Sequence, residues 1–330
     1  MSALPPRVAP ELPRRVLVTG AHGFIGQALV RRLRELGVEA RGIDVRTGAD
    51  PSVVRGSTLD PGPWVPLLEG VGAIVHTAAI VSNTASHDDA WRVNVLGTRR
   101  LLEASAAAGV PRLVHLSSIM AYGFGYPDGV DETFPVRVTG YSYIDTRVNS
   151  EAVVMTAHSA GEVEATVVRP GDVIGPGSIW VRQPIAMSRR RLLMLPANGT
   201  GVFTPVYVDN LVDAILLAVA SPSARGQVFT VTDGYGVACG DYFGALARMA
   251  GGTVTTLPTP VAVGLAESAG SLMRALGRPN ELTAAMMLML ARTGGYSIEK
   301  ARTVLGFEPR VSYELGMSRI EAWAADEGLI

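Results

Sequence analysis

The sequence predicts an α/β fold, a doubly wound parallel sheet followed by a smaller, mostly helical C-terminal part. Three observations carry that expectation. Short apolar runs alternate with helix-length stretches along the first half of the chain, the pattern of a parallel sheet built from strand–helix–strand units. The first run, Val16-Leu17-Val18, opens into the glycine-rich turn TGAHGFIG, Thr19 to Gly26, and a helix follows. Two later runs end in small or hydroxyl residues, Thr77-Ala78-Ala79 and Ser117-Ser118, as central strands do where a ligand crosses their carboxyl ends.

The chemistry of the turn is that of its backbone. Gly20 and Gly23 can take positive φ and bring main-chain N–H groups close to an anion, while the helix beginning near Phe24 aims its positive dipole end at the same point. Gly26 lets that helix lie close to the strand. The spacing is Gly-x-x-Gly-x-x-Gly rather than the Gly-x-Gly-x-x-Gly of the usual dinucleotide fingerprint, so context makes the case for a diphosphate. That context is the preceding strand, the stripe Leu29, Val30, Leu33 and Leu36, and the stop at Gly37. A second strand, Glu39 to Asp44, ends in a carboxylate 24 positions after Gly20. Asp44 is placed to accept hydrogen bonds from the adenine ribose and to repel a 2′-phosphate, which points to NAD; Arg46 could pair with that phosphate and keeps NADP as the lesser alternative.

Ser52 to Gly56 reads as a third strand, Pro63 to Gly70 as a helix-length piece, and Ala73 to Ala79 as a fourth strand. His76, inside that apolar run, reads as a core residue. Ala90 to Ala108 is a long helix carrying Asn94, which can brace a neighbouring loop. Leu113 to Leu116 is a fifth strand running into Ser117-Ser118, and from Met120 the chain turns irregular and aromatic. Tyr122, Phe124 and Tyr126 there read as a substrate-facing loop. Tyr141 to Ala160 returns to helix with Tyr143 and Arg147 four residues apart on one face. A free tyrosine titrates near 10, and a fixed cation beside a phenol favours its ionised form, so this pairing suits acid–base work. A sixth strand, Ala165 to Val168, leads into the loop RPGDVIGPG, Arg169 to Gly177. Val206 to Asn210 opens an apolar helix to Ala220, Gln227 to Thr232 is a further strand, and the remainder is mostly helical. Its Pro260 to Leu276 and methionine-rich Leu282 to Leu290 read as core helices.

Composition narrows the partners. The 330 residues are 48% hydrophobic, enough for a large core; 29 basic against 30 acidic residues leave a net charge of −1 and no electrostatic footprint for nucleic acid. The expected partner is a small molecule. A single cysteine, Cys239, excludes internal disulfides and thiolate metal clusters, suits a reducing cytoplasm, and reads as a small apolar filler. No residues have metal-ligand spacing. The segment MSALPPRVAPELPRR has prolines where a secretory signal needs an apolar core, and no stretch of ~20 unbroken apolar residues occurs. The expectation is a soluble cytoplasmic protein with a frayed tail over 1–14, a dinucleotide-binding domain over 15–175 and a substrate-binding region over 176–330, some of whose segments can return to the first.

The blocks TGAHGFIG, HTAA at His76 to Ala79, NVLGTRRLLEA at Asn94 to Ala104, LSSIMAYG at Leu116 to Gly123, RPGDVIGPG, and VYVDNLVDA at Val206 to Ala214 resemble the extended short-chain dehydrogenase/reductases, the NAD-dependent epimerase/dehydratase superfamily, from Arg15 to Gly328. The resemblance implies a Rossmann-type sheet, a homodimer paired through the two long helices, and a Ser, Tyr and Lys site. Ser118 matches the catalytic hydroxyl and Tyr143 the acid–base tyrosine, with Glu151 eight residues after it. It further implies cofactor contacts from Gly20, His22, Gly23, Phe24, Ile25, Asp44, Arg46, Ser57, Thr58, Thr77, Ala78, Ala79, Asn94, Ser117, Tyr143, Arg147 and Pro170, and substrate contacts from Ser118, Tyr122, Phe124, Tyr126, Tyr143 and Gly171. Two positions depart from the pattern. Arg147 stands where the family has lysine, and Ser57 where it often has an aspartate beside adenine.

The branch follows from the second half. Sugar-nucleotide enzymes of the family place an arginine shortly before the block matching VYVDN, whereas Gly201-Val202-Phe203-Thr204-Pro205 holds no base. Pro258 to Leu276, LTAAMMLML and YSIEKARTVLGFEP resemble the hydroxysteroid and sterol dehydrogenases, which implies a bulky, apolar secondary alcohol or ketone. A nucleotide-sugar epimerase or dehydratase is the first rival; a non-catalytic dinucleotide-binding regulator, raised by the Lys-to-Arg exchange, is the second.

Overall fold

The computed structural model describes residues 11–82, 84–276 and 283–330. Most of the expected N-terminal tail and the first residue of the methionine-rich stretch, Leu282, lie outside the described residues. The nucleotide half runs β1 (Arg15–Thr19), α1 (Phe24–Glu35), β2 (Glu39–Asp44), β3 (Val53–Arg55), β4 (Ala73–His76), α2 (His87–Trp91), α3 (Gly97–Ala107), β5 (Arg112–Leu116), α4 (Ser142–Ser159) and β6 (Glu164–Pro170). After it come β7 (Asp172–Ile174), α5 (Ile179–Arg189), β8 (Met194–Leu195), β9 (Val202–Phe203), β10 (Pro205–Tyr207), α6 (Val208–Ala220), β11 (Val228–Val231), β12 (Val237–Ala238), α7 (Cys239–Met249), β13 (Thr255–Thr256), α8 (Thr259–Ala275), α9 (Ala284–Leu290), α10 (Glu299–Leu305) and α11 (Tyr313–Asp326).

Seven strands form one parallel sheet in the order β3-β2-β1-β4-β5-β6-β11. Because side chains alternate along a strand, Val16 and Val18 enter one core layer and Leu17 the other. The first layer takes Leu29 and Leu33 of α1 and Leu211 and Ile215 of α6; the second takes Leu101, Leu102, Val154 and Ala157 of α3 and α4. Leu29 and Leu33 are fully buried, each worth about 1.5–3 kcal/mol of transfer free energy, and this burial winds α1 against the sheet. Strand order reverses between β1 and β4, so the crevice outside their carboxyl ends is the ligand position of such a sheet.

Four expectations change. Pro63 to Gly70 forms no helix, only a short 3₁₀ turn over Val65–Leu68, since Pro61, Pro63 and Pro66 break the ladder and the buried Trp64 pins the segment through its Nε1–H to Ser57 O at 2.8 Å. The long helix starts earlier than Ala90, at His87, where Ser86 Oγ accepts from Asp89 N, and it contains a π-helical turn over Arg92–Leu96. RPGDVIGPG is not a loop: β6 runs through Pro170, and β7 pairs with β10. Cys239 is fully buried. Met287 and Met289 are core residues as expected, whereas the stretch Pro260 to Leu276 is not the expected core helix: Ala262 and Ala266 are buried, but Val261, Leu265, Leu272 and Leu276 are exposed. No helix of the described residues is long and apolar enough to cross a membrane, and among them no group of His, Cys, Asp and Glu is arranged to hold a metal.

Candidate functional site

The glycine turn has the geometry of a diphosphate cradle. Gly20 sits at φ +69°, and a Cβ there would come within 2.9 Å of the Ala78 backbone; a Cβ on Gly26 would lie 2.2 Å from Gly20 O. Only glycine permits this closeness. The N-terminus of α1 is capped by no side chain and has no acid in its first turn, which leaves its N–H groups and dipole open to an anion. Next to it, Asp44 is almost fully buried, with Oδ2 accepting from His22 N and Oδ1 from Arg46 N, both at 2.9 Å. Burial pushes its carboxyl up, but the hydrogen bonds from the Arg46 side chain and from these two backbone N–H groups outweigh that and hold it below the ordinary carboxylate value. Asp44 is therefore an ionised, oriented acceptor. A cavity of about 770 Å³ opens beside it, lined by His22, Gln27, Arg31, Arg46 and Gly48.

The strand ends carry the next groups. Thr77, Ala78 and Ala79 follow β4 half-buried, with Thr77 Oγ1 donating to Thr19 O at 2.7 Å and Ala78 N to Thr19 Oγ1 at 3.2 Å. Asn94, buried in the π-helical turn, accepts from Ile80 N, and its Nδ2 donates to Ile80 O and to Thr146 Oγ1. It thereby ties the loop after β4 to α4. Ser57 Oγ accepts from Leu59 N within its own turn, while Thr58 is buried against Gly97. Pro170 is a buried end of β6, and Gly171 N donates to Val231 O, where a Cβ would sit 2.5 Å from Thr204 O.

At the end of β5, Ser117 and Ser118 are both buried and have different employments. Ser117 Oγ donates to Glu151 Oε1, and Glu151 forms an ion pair with Arg169 at 2.6 Å, both side chains 6% exposed. Ser118 Oγ accepts from Met120 N at 3.1 Å, which leaves the hydroxyl proton to be donated elsewhere. Tyr143 lies half-buried in the first turn of α4, and the Arg147 guanidinium carbon is 5.1 Å from its ring centroid. Arg147 itself is 5% exposed and donates from Nη1 to Leu116 O at 3.0 Å, so one arginine bridges the phenol and the strand that ends in Ser118. Among the described residues no carboxylate lies within ion-pair distance of it, and its Nε–H is buried without a partner. An unpaired buried charge is costly. Replacing it with an apolar side chain of similar length, Arg147→Met, is expected to stabilise the ligand-free protein by about 1–2 kcal/mol, a rise of a few degrees in Tm by calorimetry.

The aromatic loop divides. Phe124 remains half-buried and stands edge-on, at 5.7 Å, to Tyr141, the residue that precedes α4. Tyr126 hydrogen-bonds Gly294 O and the Tyr296 hydroxyl. Tyr122 does not face a cleft: it is fully buried, bonded to Thr230 Oγ1 at 2.8 Å, under the Arg169 guanidinium and among Tyr126, Phe134 and Tyr296. Its ring packs the loop down instead of lining it.

Three features escape a reading of local patterns. Asp172 and Arg292 form a fully buried ion pair; Arg292 also donates from Nε to Val202 O and from Nη1 to Met120 Sδ. The Glu151–Arg169 pair is the second. The third is a polar seam across the sheet, in which His76 bonds Thr19 Oγ1 at 2.7 Å and Thr98 Oγ1 at 2.9 Å, with His115 beside it on β5 at a ring separation of 5.2 Å. Burial, followed by the nearby Arg147 charge, lowers His76 to about 3, so its ring is a neutral structural group.

The profile of the NAD dependent epimerase/dehydratase family matches residues 16–231. A 2-alkyl-3-oxoalkanoate reductase of Stenotrophomonas maltophilia is 28% identical, covering 94% of this chain and 99% of its own. A 3 beta-hydroxysteroid dehydrogenase/Delta 5-->4-isomerase of Mycobacterium tuberculosis is 30% identical over 66% of this chain and 65% of its own. Among solved structures, MoeE5 in complex with UDP-glucose and NAD is 26% identical, covers 95% of this chain and 99% of its own, and superposes with a TM-score of 0.76.

Proposed function

The chain belongs to the NAD dependent epimerase/dehydratase family, and from that membership we propose that it is an oxidoreductase interconverting a secondary alcohol and a ketone on a bulky, largely apolar small molecule. The observation that supports this reading is Arg147, which lies over the Tyr143 ring and is bonded to Leu116 O, two residues before Ser118. The cradle fits a dinucleotide: Gly20, Gly23 and the N–H groups of Phe24 and Ile25 would hold the diphosphate, Asp44 the adenine ribose, and Thr77 to Ala79 the passage over the sheet. NAD, when bound, supplies the acceptor or donor of hydride. Ser118 donates a hydrogen bond from its hydroxyl to the substrate oxygen, Tyr143 takes or returns the proton of that oxygen at Oη, and Arg147 would hold the nicotinamide ribose. Phe124 and Tyr126 offer apolar surface to the substrate.

The ketoreductase and steroid dehydrogenase relatives support a net redox reaction, while the sugar-nucleotide complex of MoeE5 keeps the epimerase reading in view. Against the latter, the segment Gly201 to Pro205 has no base, and the guanidinium that reaches it, Arg292, is spent on Asp172. The test is redox accounting. Purified protein with NAD and hydrophobic secondary alcohols should accumulate NADH, read by absorbance, and calorimetry with UDP- or dTDP-sugars should show no heat of binding. Sugar-nucleotide binding without net NADH would replace this reading with an epimerase. Independently, Asp44→Ala is expected to weaken NAD binding about tenfold to hundredfold, the worth of one charge-assisted hydrogen bond, as measured by fluorescence titration.

A further inference from the structure

The entry to α4 is held by a buried carboxylate that helix capping does not explain. Asp145 lies in the first turn of α4 and is 9% exposed. An acid there suits the helix dipole, and an ordinary cap would take up N–H groups of the first turn. Asp145 instead reaches back past the start of the helix, Oδ1 accepting from Thr139 N at 2.6 Å and Oδ2 from Gly140 N at 3.1 Å. Gly140, at φ +83°, makes the turn that sets both amides on one carboxylate. Among the described residues Asp145 forms no ion pair, so these backbone bonds are what offset its burial. The same turn leads to the substrate side. Tyr141, next in the chain, stands edge-on to Phe124 at 5.7 Å, and a Cβ on Gly123 would meet Thr139 Cγ2 at 3.5 Å. The middle of the segment between Tyr122 and Tyr141 is fastened elsewhere, Tyr126 to Gly294 O, Val130 O to Ser297 N, and Glu132 Oε1 to Thr230 N. Phe124 belongs to the part whose neighbours are Thr139 to Tyr141.

We infer that Asp145 is a positioning residue for the substrate wall: its carboxylate fixes the Thr139–Gly140 turn, and that turn holds Tyr141 against Phe124. The pairing needs a carboxylate because two backbone donors converge on it. An amide offers one acceptor and turns an N–H toward the second donor. Tyr143 stands on the helix side of the turn, where the main-chain bond from Asp145 N to Tyr141 O keeps the first turn wound without help from the side chain. Loss of the carboxylate therefore falls on the fit of the substrate, and the proton-transfer group keeps its place.

The kinetic arm of the test rests on the proposed oxidoreductase reading, and a hydrogen-exchange arm does not. Steady-state kinetics with the alcohol that yields NADH are compared for the wild type, Asp145→Ala, Phe124→Ala and the double variant. Asp145→Ala should raise KM about tenfold with kcat and NADH affinity within about twofold of wild type, the pattern of lost substrate binding alone. In the Phe124→Ala background the same change should raise KM less than about twofold, since the wall it positions is already gone. Asp145→Asn, which keeps one of the two acceptors, should raise KM about threefold, and it carries the comparison if the alanine variant does not fold. Exchange is read at the amides of Gly123 and Arg137, which donate to Met120 O and Ala121 O and so report the wall rather than the deleted bonds. Both should exchange at least about threefold faster in Asp145→Ala, while α4 beyond Arg147 keeps wild-type rates. Equal KM rises in the two backgrounds, a loss of kcat or NADH affinity as large as the KM rise, or unchanged exchange at Gly123 and Arg137 would reduce Asp145 to a brace of the helix start and overturn the assignment. A wild type that forms no NADH from any alcohol removes the oxidoreductase reading, and the exchange comparison still decides whether Asp145 holds the wall.

Discussion

Tyr143→Phe is expected to lower kcat by about 10²- to 10⁴-fold, the usual contribution of a positioned general acid–base group, with NADH affinity and Tm unchanged. The separation of these readouts follows from the site. Among the described residues the Tyr143 hydroxyl makes no hydrogen bond, and the ring is half-buried, so its removal strands no buried partner and should alter stability by less than about 0.5 kcal/mol. The ring that remains keeps its face to the Arg147 guanidinium, preserving whatever the stack contributes to the shape of the cofactor site. A structural tyrosine would show the reverse, a lower Tm with turnover intact. Steady-state kinetics with the alcohol that yields NADH, beside calorimetry of the same preparation, decides between them; unchanged kcat removes Tyr143 from the mechanism.

The parts of this site that could be read in the sequence are those whose geometry is local. Six of the seven strands of the main sheet follow from short apolar runs, β2 (EARGID) being the exception, and the Tyr143–Arg147 contact follows from a four-residue helical spacing. The glycine turn is legible for the same reason, since Gly20 needs its positive φ within the turn itself. What could not be read depends on partners distant in sequence. Arg292 meets Asp172 across 120 positions, and no period connects them. Tyr122 looks like a loop aromatic until Tyr296 and Phe134 close over it. His115 reads as one more member of an apolar strand because its Ser150 partner comes from α4, 35 positions on. The π-helical turn that buries Asn94 is set by packing of the long helix on α4, which helix propensity does not register.

The second large effect is expected at Asp172. Burial pushes its carboxyl up, and the Arg292 guanidinium and the Thr204 N–H pull against that, while Arg292 is itself kept charged by Asp172. Asp172→Ala would leave a fully buried guanidinium facing Cys239 and two tyrosines with no counter-charge, and is expected to cost about 3–5 kcal/mol, measured by urea denaturation. Against a total stability on the order of 5–15 kcal/mol that is about a fifth or more of the total. The double variant Asp172→Ala/Arg292→Met removes both charges and should regain most of the loss, because a buried pair contributes little beyond what its desolvation takes away. Turnover should not return with it. Arg292 also contacts Met120 Sδ, two residues beyond Ser118, and the backbone O of Val202, so the pair fastens the C-terminal segment to the strand end that presents the proposed catalytic hydroxyl. A methionine fills that space without either polar tie, and the expected signature is a refolded, stable protein with a raised KM for the alcohol. Recovery of stability and KM together would mean that the buried pair serves the fold alone.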